Sequence, residues 1–482
     1  MFEPENALEV LSEERVEIVH NQAMTILEDV GMDVLHEPTL ELLREQGQKT
    51  EDDRVHFDRE WIAEMVAKAP SAFELHARNP ERTVTIGDGR KVLTPVGGPP
   101  FASDLDDGRR SGSIRDHDAL VKLAHAADVM TCLQSATVEA VDLEVSTRHM
   151  DMDYSVIRYS DKPYVTYGAS GAKARDGIEL AAIVHGGREV IEQKPAVMIV
   201  INPNSPLVWD TRMAEALLAS AEAGQPVVVT PFLLAGGTAP VSVSGALSIQ
   251  AAEALSGIAI AQAVRPGTPA IYGSFFTPLD MRSGSPAFGM PEAVLGTVAG
   301  AQIARRYHLP YRGGGGLASA NAVDAQAASE SMMSLWATYL CASDFVLHAA
   351  GWLEGGLTAS FEKFALDVEL IRMFERMRRG VGFTEEELAL GAIRELGPGG
   401  MFLESEHTMT HFRDWLCMSP IFTTPDFATW ESMGAETLDR RANAEWKKLL
   451  ESYEDPGLDP AIDEALQEYI AKRKAEPVEE EE

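Results

Sequence analysis

The chain runs to 482 residues, is 45% hydrophobic and 24% charged, and carries a formal net charge of −34. A balance this acidic argues against nucleic acid and anionic membrane surfaces as partners, because like charge repels them at long range; it leaves either a solubilising surface or steering of a cationic substrate or basic partner. Three scattered cysteines, Cys132, Cys341 and Cys417, exclude a disulfide framework and read as core residues in a reducing compartment.

The length suits two or three domains, or one large α/β barrel with additions. No apolar run approaches the length of a spanning helix, and the opening MFEPENALEV lacks the basic and apolar regions of a signal peptide, so a cytoplasmic protein is expected. Residues 1–90 read as a helical cap packed on the rest. An amphipathic stretch over 10–30 stops at Gly31, a second helix lies near 39–46, and β-prone pieces at 54–57, 73–77 and 83–86 make a small antiparallel sheet.

From Val92 the rhythm changes to strand and helix in alternation. Strands are expected at 92–96, 129–135, 164–168, 197–201, 227–230, 270–273, 310–313 and 345–349, with helical patterns between them and an eighth helix opening near Phe361. Eight such units over 91–380 spell an α/β fold, a (β/α)8 TIM barrel; an open doubly wound sheet is the runner-up, but no GxGxxG opens a helix after the first strand. Residues 381–474 form a C-terminal helical extension, and 475–482, ending in PVEEEE, read as a disordered acidic tail.

The active site of such a barrel is built from the loops after its strands, which converts the strand list into residues. The ends yield Gly97, Gly98, Gln134, Tyr167, Asn202, Asn204, Phe232, Ser274, Phe275, Phe276, His348, Trp352 and Glu354. Tyr167, Phe232, Phe275, Phe276 and Trp352 suit a cage for a methylated ammonium, whose diffuse charge is drawn to ring faces, and Glu354 is the expected counter-charge. Gly313, Gly314, Gly315 and Gly316 form a loop where backbone can approach a ligand, and Asn321 and Asp324 are candidate caps for the helix that follows. His407 and His411 sit four apart beside Glu404 and Glu406, at a spacing metals use, yet no third ligand has a convincing position; a docking or cofactor contact is the better reading, and no metal is expected. A P-loop, GxSxG, CxxC and HExxH are all missing, which shifts the difficult chemistry to a cofactor or partner protein.

Several long motifs carry a resemblance: GPPFASDLDDGRRSG from Gly98, NPNSPLVWD from Asn202, YGSFFTPLDMRSGSPAFGMPEA from Tyr272, GGGG with DAQAASE from Gly313, and HTMTHFRDW from His407. Together they resemble the trimethylamine methyltransferase family over nearly the whole chain, in the pyrrolysine-free branch that includes the glycine betaine:corrinoid methyltransferases. The resemblance implies a (β/α)8 barrel that moves a methyl group from an amine to the cobalt of a corrinoid (cobalamin) held by a separate, cognate corrinoid protein. With every residue a standard one, it implies a quaternary amine such as glycine betaine as donor, ahead of proline betaine, carnitine, trimethylamine or dimethylsulfoniopropionate. The aromatics and Glu354 would then hold the ammonium, Arg312, Arg282 or the amides near Asn202 and Asn204 would hold a carboxylate, His348 would join the reacting centre, and the four glycines would admit the corrinoid. A metal-dependent barrel hydrolase or lyase and a non-catalytic betaine-binding barrel are the readings from other classes, and the exposed outer helices leave room for a homo-oligomer.

Overall fold

A computed structural model describes residues 7–476. Eight parallel strands form its centre: β1 (Val92–Leu93), β2 (Leu133–Gln134), β3 (Tyr164–Val165), β4 (Val197–Ile201), β5 (Val227–Val229), β6 (Ala270–Gly273), β7 (Tyr311–Gly314) and β8 (Phe345–Leu347). From β2 to β8 each pairs with its neighbours in chain order, and β8 returns to β1 through Phe345 opposite Val92. Between β1 and β2 the ladder gives way to hydrogen bonds from the amides of Thr131 and Cys132 to the Leu93 carbonyl, at 3.2 and 3.1 Å. The ring is therefore a nearly closed α/β barrel, and the open-sheet alternative falls.

Eight helices follow the strands in turn: α1 (Ile114–Ala126), α2 (Arg148–Tyr159), α3 (Gly171–His185), α4 (Thr211–Glu222), α5 (Val243–Val264), α6 (Pro291–Arg306), α7 (Ala325–Leu340) and α8 (Phe361–Arg378). Their starts are written in side chains. Ser113 and Asp116 close a capping box on α1, and Asp324 accepts from the amides of Gln326 and Ala327 to cap α7.

Alternation along the strands sorts the core into two shells. Val92, Cys132, Val165, Met198, Val228, Ile271, Phe345 and Leu347 point inward, and Leu75 and Ile86 close the lower end from the hairpin Phe73–Leu75/Val84–Ile86. The residues between them, such as Ile199, Val227 and Tyr272, join the helices in the larger outer core.

The N-terminal region lies on the flank. Its strands Met32–Val34, Lys49–Glu51 and Arg54–His56 gain a fourth from the barrel itself, Val208–Trp209, whose indole Nε1 donates to Ser256 on α5 at 3.0 Å. This covering corrects the hydropathy reading. Helix α5 is long and apolar enough to cross a membrane, yet 78% of its apolar window is buried between the barrel and the N-terminal region. Beyond α8 the chain makes short helices over 385–432 and two longer ones, Leu438–Glu451 and Pro460–Ala475. The tail expected to be disordered lies outside the described residues from 477 on.

Candidate active site

The loops above the strands carry structure that periodicity alone did not reveal. Phe232–Ala235, Phe275–Asp280 and Ser285–Pro286 form a three-stranded sheet over β5 and β6. Trp352–Leu353, Thr358–Ser360, Phe101–Asp104 and Gly108–Ser111 form a four-stranded one over β8 and β1. Between them opens a cavity of about 430 Å³ at the C-terminal mouth of the barrel.

Register explains why rings converge there. Phe232 and Phe275 are direct partners in a parallel pair, so both project to one face, with centroids 4.9 Å apart. Phe275 then meets Trp352 edge-on at 5.9 Å, and His348 lies 4.3 Å from the indole. Phe288, which the sequence reading missed, is 1% exposed and backs both Phe275 and Trp352, at 5.4 and 5.7 Å. Tyr167 and Asn202 complete the lining, Asn202 from an exposed position.

Arg312 supplies the charge. It leaves β7 towards the cavity, is 1% exposed, and holds its guanidinium 4.6 Å above the Phe275 ring. Its Nη1 donates to the Ser274 carbonyl at 2.8 Å, Nε has no partner, and no carboxylate among the described residues pairs with it. Burial draws its pKa down to about 9, so the group remains a cation at neutral pH.

His348 beside it is held neutral, since burial first and the Arg312 charge second push its pKa well below the usual range. The Gly97 amide donates to its Nδ1 at 3.1 Å, which places the proton on Nε2. A φ of 59° at this non-glycine residue is the sort of backbone strain that a fold retains at working sites.

Three strands round from β7, Glu139 brings a carboxylate that the strand-end rule passed over. It lies beyond β2, lines the cavity, and ion-pairs with Arg148 at 2.6 Å. Burial raises its pKa against the pull of Arg148 and Tyr167. The signal in the sequence was a lone carboxylate inside the apolar run ATVEAV. Gln134 Oε1, Thr230 Oγ1 and Trp352 Nε1 are also buried without a partner and belong to residues lining this same cavity. Buried polar atoms normally find partners, and four of them, counting Arg312 Nε, around one space mark a candidate binding site.

Several expected site residues lie elsewhere. Phe276 turns its back on the cavity, because consecutive strand residues face opposite ways, and packs with Leu233, Ala235, Ala239 and Ala246. Asn204 exchanges two backbone hydrogen bonds with Val208 in an exposed turn. Glu354, expected to face the ammonium, instead pairs with Arg109 at 2.9 Å and accepts from Thr358, outside the cavity lining. Arg282 is 91% exposed at its side chain and closes a turn with Asp280.

The four glycines serve packing within the chain. Gly313, Gly314, Gly315 and Gly316 are all buried, and a Cβ would come within 2.5 Å of Ser343 at Gly313, 2.6 Å of Leu317 at Gly314, 2.2 Å of Ala349 at Gly315 and 2.6 Å of Asp367 at Gly316. None of them lines the cavity. His407 and His411 also stand apart from it, on the helix Glu406–Trp415. Their neighbour is Glu386 rather than Glu404 or Glu406: His411 Nε2 meets its carboxylate at 2.8 Å, His407 Nε2 its carbonyl at 2.9 Å, and the His411 ring stacks on Trp415 at 4.0 Å. Donor atoms of the three residues lie within 4.8 Å of one another, with both histidine nitrogens already engaged. Of the cysteines, Cys132 and Cys341 are core residues as expected, whereas Cys417 is exposed.

Comparison with known proteins agrees with this fold. A glycine betaine methyltransferase from Desulfitobacterium hafniense is 42% identical over 98% of this chain and 98% of its own length. A proline betaine:corrinoid methyltransferase from Eubacterium limosum is 29% identical over 94% and 96%. Among solved structures, the monomethylamine methyltransferase of Methanosarcina barkeri shares the fold, with a TM-score of 0.52 at 10% identity over 93% of this chain and 89% of that one. The family described as trimethylamine methyltransferase matches residues 2–477, and the chain belongs to it as a methyltransferase built on the (β/α)8 barrel.

Proposed function

We propose that the protein moves a methyl group from a betaine-type quaternary amine, glycine betaine foremost, to the cobalt(I) of a corrinoid carried by a separate protein. Arg312 is the observation that carries the choice of donor. A buried guanidinium without a carboxylate calls for an anion, and rings within a few ångströms of it call for a cation. Glycine betaine brings both charges in one small molecule, while trimethylamine would leave the arginine unpaired. The 42% identity to a glycine betaine methyltransferase supports the same donor.

In this reading the substrate carboxylate binds Arg312, and its trimethylammonium lies against Phe232, Phe275 and Trp352. The unpartnered Trp352 Nε1 and Gln134 Oε1 belong to the same lining, where the first would donate to the carboxylate and the second would face the ammonium. Glu139 sits across the cavity, where its charge, partly offset by Arg148, favours the ammonium end. A cavity of this size admits a small amine and not a macrocycle, so the corrinoid remains outside, on the partner.

Cobalt(I) supplies the nucleophile, and the chain consequently needs no serine, cysteine or general base of its own. What the chain contributes is position and charge. As the C–N bond breaks, its electron pair returns to nitrogen and the ammonium charge disappears, so the rings lose their hold on the dimethylated product. Three free cysteines, one of them exposed, fit a reducing compartment such as the cytoplasm.

The test incubates the full chain with reduced corrinoid, free and protein-bound, and a panel of betaines and methylamines, following methyl transfer by absorbance. Glycine betaine should react fastest and trimethylamine little. Transfer from none of the donors rejects the activity; transfer from trimethylamine as readily as from betaine rejects the role of Arg312.

A further inference from the structure

Between residues 381 and 434 the chain folds with almost no interior. It forms the helices Glu385–Leu388, Leu390–Leu396, Glu406–Trp415 and Phe427–Ser432, yet Ile421 is the only buried residue of the segment. Helices this short are marginal in water without a packed face. A stretch that buries so little is commonly fixed by a disulfide or a structural metal, and its one cysteine, Cys417, rules out an internal disulfide. Metal ligands, by contrast, already converge. His407 and His411 lie four residues apart on the helix Glu406–Trp415, with ring centroids at 4.9 Å. Near them in sequence no third ligand offers itself, which is why no metal is expected from the sequence alone. The fold brings one from 21 residues before His407: Glu386, on the single turn Glu385–Leu388, has its carboxylate 2.8 Å from His411 Nε2 and its carbonyl 2.9 Å from His407 Nε2. One donor atom from each of the three residues lies within 4.8 Å of the other two. Ligands of a tetrahedral zinc are about 3.4 Å apart, so the widest gap in the cluster closes by no more than about 1.4 Å.

We infer that Glu386, His407 and His411 form a zinc site that pins the turn Glu385–Leu388 to the helix Glu406–Trp415. Ligand chemistry selects the ion. Two imidazoles and one carboxylate suit zinc, whereas calcium and magnesium take oxygen ligands and copper(I) takes sulfur. Each imidazole ligates through Nε2, its proton passing to Nδ1 by way of water, and a water fills the fourth position of the tetrahedron. Trp415 carries the link onward. Its ring stacks on His411 at 4.0 Å and its carbonyl accepts from Arg376 of α8 at 2.8 Å, so an ion on His411 ties the turn to the last helix of the barrel. The three ligands meet only when both helices are in place, and the free energy of binding the ion therefore becomes stability of the segment. Nothing in this site depends on the methyl donor or its acceptor.

Titrating the full chain, first stripped of metal by a chelator, with zinc sulfate alone in a calorimeter tests the site. The wild type should take up one zinc per chain and His407→Gln/His411→Gln none at the same concentrations. Glu386→Gln alters a side chain that is 63% exposed, so it should fold as the wild type does by far-UV circular dichroism while its zinc affinity falls by at least about tenfold. Limited proteolysis within 381–434 gives the second readout. With free zinc at about 100 times the dissociation constant, cleavage should slow by about 100-fold in the wild type and not at all in the double variant. A wild type that binds no zinc overturns the inference, and so does either variant binding it as tightly as the wild type, because the ion then sits elsewhere. Zinc bound at these residues without protection of the segment overturns its role as a pin.

Discussion

The barrel mouth and the C-terminal extension are both incomplete, in opposite ways. At the mouth Arg312, Thr230 and Trp352 are buried, while polar atoms of these three and of Gln134 have no partner. In the extension the histidines are hydrogen-bonded while Phe383, Leu403 and Phe427 face outward. Unpaired polar atoms in a closed space select a small charged ligand, because each one left unsatisfied costs about 1 to 3 kcal/mol. Unburied apolar side chains on an open surface select a macromolecule, because only a large partner removes so much area from water. One sequence thus leaves two kinds of group without company, polar atoms at the mouth and apolar side chains in the extension.

Arg312→Met breaks that contrast most severely. Losing a buried charge pair with the substrate costs about 3 to 5 kcal/mol, so kcat/KM for glycine betaine should fall by roughly 150- to 5,000-fold. Thermal stability should not fall, since the variant also removes an unpaired buried cation. Lost stability together with retained activity would return Arg312 to a structural role.

Gly315→Ala asks whether the glycine run serves packing or a ligand. With its Cβ at 2.2 Å from Ala349 Cα, backbone must shift, and a stability loss of about 1 to 3 kcal/mol in denaturant unfolding is expected. Unchanged stability with lost transfer would restore the ligand-approach reading. Trp352→Leu should raise the betaine KM by roughly tenfold with a smaller change in kcat, as removal of one ring face predicts. Steady-state kinetics separates the two constants.

The smallest effect sharpens a third attachment, that of the last helix. Burial alone would raise the Asp176 pKa, but hydrogen bonds from His149, Arg473 and Tyr469 bring it down to about 2. A folded pKa below the unfolded 3.8 contributes stability that is complete above about pH 4 and is lost as pH falls towards 2. Asp176→Asn should flatten that part of the stability curve, read from urea unfolding at a series of pH values. An unchanged slope between pH 4 and 2 would mean that other carboxylates govern acid unfolding.

Barrel strands were legible because parallel strands buried on both faces read as short β-branched runs, as VMIVI and VVV do at β4 and β5. Their ends were less so. The stretch 129–135 shrank to Leu133–Gln134, since its first residues turn to meet Leu93 rather than extend the ladder. The two accessory sheets above the barrel went unread because their partners are distant in sequence. Thr358–Ser360 pairs with Phe101–Asp104, and nothing local announces that.

By itself the sequence determined the alternation of strand and helix, and the supply of aromatic and cationic groups at the C-terminal end of the barrel, because periodicity and composition are local properties. Only the tertiary structure decided that Phe275 and not Phe276 faces the cavity, that Glu139 and not Glu354 lies beside it, and that the glycines of β7 are closed off by Ala349 and Asp367. Which face a strand residue takes depends on the register of its pair, and which carboxylate lies near a given point depends on loops folding back over many residues. Neither quantity is contained in any one stretch of chain.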